Sequence, residues 1–150
     1  MALERELARL VAAKASRLLE LEGCGTLSAA RISPSAAMPG AFDSDAKLAR
    51  LAEVAPIPAS SGKRRRHRLH RGGNRKLNCA IHRIAVTQGR IHGPARDYLA
   101  RKQAEGKTRL EALRCLKRQL VRHIWHLVQT AVRTAPPTTL SPAKCGTGLT

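Results

Sequence analysis

Between Thr108 and Val132, apolar side chains recur at every third or fourth position: Leu110, Leu113, Leu116, Leu120, Ile124, Leu127 and Ala131. That spacing matches the period of an α-helix and predicts one long helix with a single buried stripe. Thr108, followed three residues later by Glu111, forms a capping box that would open it. No segment alternates apolar and polar residues convincingly, so strands are not expected. The chain reads as mostly α: a small helical domain with a helix-hairpin-helix-like start, a basic loop and a long C-terminal helix.

Shorter helices fill the rest. Leu3, Leu7, Leu10, Val11, Leu18 and Leu21 form an apolar stripe from Leu3 to Leu21 that Lys14 interrupts once. Gly23-Cys24-Gly25 then forces a tight turn, and Thr26 or Ser28 caps a short second helix through Ala29 and Ala30. Residues 31–44, with Ser33-Pro34-Ser35 and Met38-Pro39-Gly40, read as a loop. A helix returns from Asp43 to Leu51, capped by Asp43 or Ser44. Pro56 and Pro58 end it, and Ser60-Ser61-Gly62 is a turn. Asn74 caps a helix from Arg75 to Gln88 that buries Leu77, Ala80, Ile81, Ile84 and Ala85, with Gly89 at its end. Pro94 sits in the first turn of another helix through Ala104, which Gly106 breaks. These boundaries divide the chain into a leading helix (1–17), a domain (18–133) and a disordered tail (134–150).

Charge is distributed unevenly. Lys and Arg number 28 against 10 Asp and Glu, a formal net charge of +18. Residues 1–53 hold seven bases and seven acids, so the whole excess lies after Glu53. Eight of the 14 residues from 63 to 76 are cations: Lys63, Arg64, Arg65, Arg66, Arg68, Arg71, Arg75 and Lys76. A block of this kind attracts polyanions, nucleic acid first. Arg outnumbers Lys there, which suits bidentate phosphate contacts. Phe42, Tyr98 and Trp125 are the only aromatic residues, too few for a base-stacking platform, so the contact is expected with backbone phosphates. If five to eight of these cations each neutralise a phosphate, log K falls with log[salt] at a slope of roughly −4.5 to −7.

Other classes find less support. No apolar run spans a membrane, and Met1–Leu10 has no signal-peptide core, which points to a cytoplasmic chain. Cys24, Cys79, Cys115 and Cys145 lie far apart and read as free thiols. The pairs His67/His70 and His123/His126 fall short of a metal-ligand set, so no metal site is expected.

Two features carry possible chemistry. Gly23 and Gly25, in a hairpin between helices, present backbone N–H groups that can hold a DNA phosphate without reading sequence, although Glu22 beside them would repel it. Ser60 and Ser61 precede the Arg run. They read first as turn residues, but a serine hydroxyl beside Arg64–Arg66 can also attack a phosphodiester, with the cations stabilising the developing charge. No nearby carboxylate activates it.

Three stretches together resemble a known family: Asp45-Ala46-Lys47-Leu48-Ala49-Arg50; Val54-Ala55-Pro56-Ile57-Pro58-Ala59-Ser60-Ser61-Gly62-Lys63; and Arg71-Gly72-Gly73-Asn74-Arg75-Lys76-Leu77-Asn78. They look like the C-terminal domain of bacterial transposases of the insertion-sequence one-ten family. Ala104–Thr108 and Glu111–Arg118 resemble its C-terminal helices, and the likeness runs from about Leu18 to Leu127. It implies DNA transposition through a serine nucleophile, Ser61 here, with Ser60 as the neighbouring alternative. The nucleic-acid contacts expected from the glycine hairpin and the basic block are Gly23, Gly25, Lys63, Arg64, Arg65, Arg66, Arg68, Arg71, Asn74, Arg75 and Lys76. It further implies Mg²⁺ held by carboxylates of an N-terminal RuvC-like DEDD domain, with the site completed across subunits. The implied partners are DNA, a bridge RNA, and a second copy or a full-length transposase, in the nucleoid of a bacterial cell.

The chain departs from the family in three places. Only 17 residues precede the similar region, residues 31–42 do not match, and Glu53 stands where glycine is usual. The expectation is therefore a truncated enzyme that carries no cofactor and is inactive alone. The alternative is a non-catalytic basic DNA- or RNA-binding module.

Overall fold

The computed structural model describes residues 2–36, 43–58, 62, 67–69 and 72–134. Within them the order is α1 (Ala2–Leu19), α2 (Thr26–Ala36), α3 (Asp45–Leu51), β1 (Pro56–Pro58), β2 (His67–Leu69), α4 (Arg75–Ile91), α5 (Gly93–Ala104) and α6 (Arg109–Thr134). The helical architecture agrees with the periodicity. None of these helices is long and apolar enough to cross a membrane.

α6 is the spine, touching α1, α3, α4 and α5. Its start is the predicted capping box: Thr108 N–H donates to Glu111 Oε2 at 2.9 Å, and Glu111 N–H donates to Thr108 Oγ1 at 3.3 Å. Because neighbours approach from several sides, its buried face is a band rather than one stripe: Ala112, Leu116, Leu120, Val121, Ile124 and Val128. Leu110, expected inside, is 66% exposed. α4 supplies the opposite wall with Leu77, Ala80, Ile81, Ile84 and Ala85, the five residues expected from its period.

Several boundaries differ from the sequence reading. α2 continues through Pro34 to Ala36, where a loop was expected. Ala29 and Ile32 are fully buried and α2 packs on α4, so burial outweighs a proline that removes one backbone bond near the helix end. Neither Thr26 nor Ser28 stands at its cap; the Gly25 carbonyl accepts the first helical bond, from Ala29 N–H at 3.0 Å. α4 runs past Gly89, which does not end it. A side chain at Gly89 would come within 2.9 Å of Leu99 Cδ1, so this glycine lets α5 lie close. In α1 the backbone leaves helical geometry at Ala15, with φ −147° and ψ 36°. Along its stripe Val11 and Leu18 are buried, while Leu3 and Leu10 are exposed.

The unexpected element is a two-stranded antiparallel sheet. Pro56 pairs with Leu69, Ile57 with Arg68 and Pro58 with His67. The prolines end α3's neighbourhood as expected, but they also form β1. Proline's fixed φ suits extended chain, and its missing N–H is harmless on a strand with one free edge.

Candidate nucleic-acid interface and serine loop

The residues that carry the serines and the Arg run belong to one excursion of the chain, from Val54 to Arg71, between α3 and α4. Ser60, Ser61, Lys63, Arg64, Arg65, Arg66 and Arg71 lie outside the described residues, as does His70. The structure does describe how the excursion is held.

Its neck is built on Glu53. That residue has φ +57°, in the left-handed region that favours glycine. Its Oε1 accepts from Gly73 N–H at 3.1 Å and Gly72 N–H at 3.3 Å, and its Oε2 accepts from Asn78 Nδ2 at 3.1 Å. The departure noted in the sequence thus has a local reason: the position wants glycine for its backbone, and glutamate supplies a carboxylate that joins the two ends of the excursion. The Asn78 amide and the Gly72 N–H, with Gly73 and the Arg75 charge, hold this carboxyl below the usual glutamate range despite some desolvation.

Behind it, Lys117 Nζ donates to Asn78 Oδ1. Lys117 is buried, and burial pushes its ammonium pKa down, with the Arg114 charge adding to the effect. Gly73 closes the neck. A Cβ there would lie 2.1 Å from the Leu51 carbonyl oxygen, so only glycine fits. Asn74 N–H donates to that same oxygen at 2.6 Å. The sequence marks Glu53 as a departure but not as an anchor, and it does not mark Lys117. The signal for Glu53 was its place in a glycine position; Lys117 gave none.

Asn74 is the N-cap of α4, its Oδ1 accepting from Lys76 N–H at 3.0 Å and Leu77 N–H at 3.1 Å. Arg75 and Lys76 are exposed beside it, at the start of α4, and Arg68 is exposed on β2. A cleft of about 420 Å³ runs under the hairpin between His67 and Arg68 on one side and Lys107, Arg114 and Cys115 on the other. Two carboxylates also line it, each engaged: Glu105 with Lys102 Nζ at 2.8 Å, and Glu111 in its capping box.

Gly23 and Gly25 lie elsewhere, at the α1–α2 turn. Gly23 has φ +79° and packs against Thr87 of α4. Gly25 is exposed. The Glu22 carboxylate, expected to repel phosphate, pairs with His92 Nδ1, and the Glu22 carbonyl accepts from Gln88 Nε2 at 2.8 Å. Thus the start of α4 sits at the neck beside Glu53, and Arg68 faces the cleft against α6, whereas the glycine turn lies at the other end of α4.

Cys24, Cys79 and Cys115 are free thiols, and Cys145 lies outside the described residues. Among the described residues no three His, Cys, Asp or Glu side chains converge to hold a metal ion.

The sequence model of a family described as "Transposase IS116/IS110/IS902 family" matches residues 15–100. The chain is also 36% identical, over 97 residues, to the "Insertion element IS116 uncharacterized 44.8 kDa protein" of Streptomyces clavuligerus, covering 62% of this chain and 24% of that protein. The chain spans about a quarter of the length of the curated relative it matches.

Proposed function

Since the chain belongs to the IS116/IS110/IS902 transposase family, we propose that it is the DNA-binding, serine-bearing part of an insertion-sequence transposase. The observation that carries this reading is the neck. Glu53 joins the amides of Gly72 and Gly73, and Pro58 pairs with His67. The chain that bears Ser60, Ser61 and Lys63–Arg66 therefore leaves at Pro58 and returns at His67, next to Arg68, while Arg75 and Lys76 open the helix that follows the neck.

In the proposed step the Ser61 hydroxyl oxygen attacks the phosphorus of a DNA phosphodiester. The bond from phosphorus to the leaving sugar oxygen breaks, that oxygen ends as a hydroxyl carrying one proton, and the serine has lost one. The strand is then held as a phosphoserine ester, and attack by another sugar hydroxyl reverses the exchange. The Arg run would stabilise the extra negative charge at phosphorus and grip neighbouring phosphates. Activation of the hydroxyl is proposed to come from carboxylates of a full-length transposase, so the chain alone is expected to bind DNA without cleaving it.

The test uses a DNA substrate whose cleavage is irreversible, a full-length family member with its own serine replaced, and Mg²⁺. A covalent protein–DNA adduct that disappears in Ser61→Ala but persists in Ser60→Ala is expected. No adduct, with DNA binding unchanged by Ser61→Ala, would leave a non-catalytic basic module as the correct reading. Competition between duplex DNA and a structured RNA would show whether a bridge-type RNA shares the site.

A further inference from the structure

A second basic surface lies away from the neck. Arg90 from the last turn of α4, Arg96 near the start of α5 and Arg109 at the first position of α6 all line one groove of about 290 Å³, whose floor includes Leu99 and Leu113. We infer that this groove is a second docking site for the phosphodiester backbone of a nucleic acid, an inference that rests on the nucleic-acid reading above.

Two observations point the same way. First, no Asp or Glu lines the groove, unlike the cleft under the hairpin. Second, none of its three arginines has an ion pair among the described residues. Arg9, Arg118 and Arg122 each do, with Glu6 at 2.8 Å and with Asp45 at 3.0 and 3.3 Å respectively. A polyanion in the groove meets guanidinium forks from three helices, a geometry suited to successive phosphates rather than to a lone carboxylate. The shared chemistry is the phosphodiester; DNA and RNA are its two sources.

The experiment is a salt titration of binding, read by fluorescence anisotropy on the full chain with a labelled DNA duplex and, separately, a labelled stem-loop RNA. Replacing Arg90, Arg96 and Arg109 together with Gln is expected to make the slope of log K against log[salt] shallower by about 2.7, at about 0.9 per phosphate contact. Replacing all three with Lys keeps the charge and is expected to keep the slope. A control that removes the same charge from α1, Arg5, Arg9 and Lys14 to Gln, should change it by well under 1. Circular dichroism checks that each variant is folded.

The probe whose slope changes identifies the source. An unchanged slope in the groove variant overturns the inference, and so does an equal change in the α1 control, which would make the charge diffuse. The first reading is judged separately, by replacing Lys63, Arg64, Arg65 and Arg66 with Gln. If that variant loses binding while the groove variant does not, the inference fails and the reading stands. If the parent chain binds neither probe, both fail.

Discussion

Gly73→Ala probes the neck directly. The added methyl carbon would sit 2.1 Å from the Leu51 carbonyl oxygen, 2.9 Å from the Arg50 carbonyl oxygen and 2.9 Å from Glu53 Cγ. An ordinary contact for such a carbon starts at 3.4 Å, so the backbone must separate by 3.4 − 2.1 = 1.3 Å. Two of the three obstacles are backbone, which no rotamer change can move aside. Separation on that scale also stretches the 2.6 Å bond from Asn74 N–H to Leu51 beyond hydrogen-bond range. Overpacking costs about 1–3 kcal/mol and a lost backbone hydrogen bond about 0.5–1.5 kcal/mol, giving about 2–4 kcal/mol in all. With a urea slope of about 2 kcal/mol/M, the unfolding midpoint should fall by about 1–2 M. Gly93→Ala is the matched control, since no heavy atom lies within 4 Å of its added carbon. It should change stability by no more than about 0.5 kcal/mol. Equilibrium urea unfolding followed by circular dichroism measures both. If Gly73→Ala unfolds within about 0.5 kcal/mol of the parent, the close approach at the neck is refuted.

Other outcomes follow from the same structure. Glu53 has a depressed carboxyl pKa, so its contribution is present above the usual glutamate value of 4.5 and lost as pH falls through its folded value. Urea midpoints measured from neutral to acid pH should therefore drop below about pH 4.5, and Glu53→Gln should be less stable at neutral pH and show a weaker drop. Burial pushes the Cys24 thiol up to about 11, whereas Cys79 is exposed. Iodoacetamide at mildly alkaline pH should thus label Cys79 quickly and reach Cys24 only after denaturation, as peptide mass spectrometry would show. Ile84 is fully buried, and Ile84→Ala should cost about 2–5 kcal/mol in urea unfolding. Leu110→Ser, at a position 66% exposed, should stay within about 0.5 kcal/mol.

The comparison of α4 with α2 shows where sequence reasoning works. α4 was legible from Asn74 and a clean apolar face because its local signals agree with its packing: Asn74 caps it, and all five expected residues are buried. α2 was cut short because Pro34 speaks against a helix locally, while burial of Ile32 against α4 is a long-range fact. The hairpin escaped for the same reason. Strands of three residues carry no period, and only pairing between Ile57 and Arg68, far apart in sequence, defines them. At the candidate site, the Arg block could be read from composition, but its anchor could not. Glu53, Asn78 and Lys117 are separated by 25 and 39 residues, and each looks like an ordinary helix-end or helix residue until the fold joins them.

The neck also divides the chain into two parts that bear on folding differently. A loop closed by its own ends burdens the fold only through closure entropy, which rises by about 0.6 kcal/mol when loop length doubles. Residues between Pro58 and His67 can then lengthen, shorten or change composition with little effect on the helices, provided the paired strands, Glu53, Gly73 and Asn78 persist. Such a chain can exchange one excursion for another as an interchangeable cassette. Selection on what the excursion touches then acts almost independently of selection on folding.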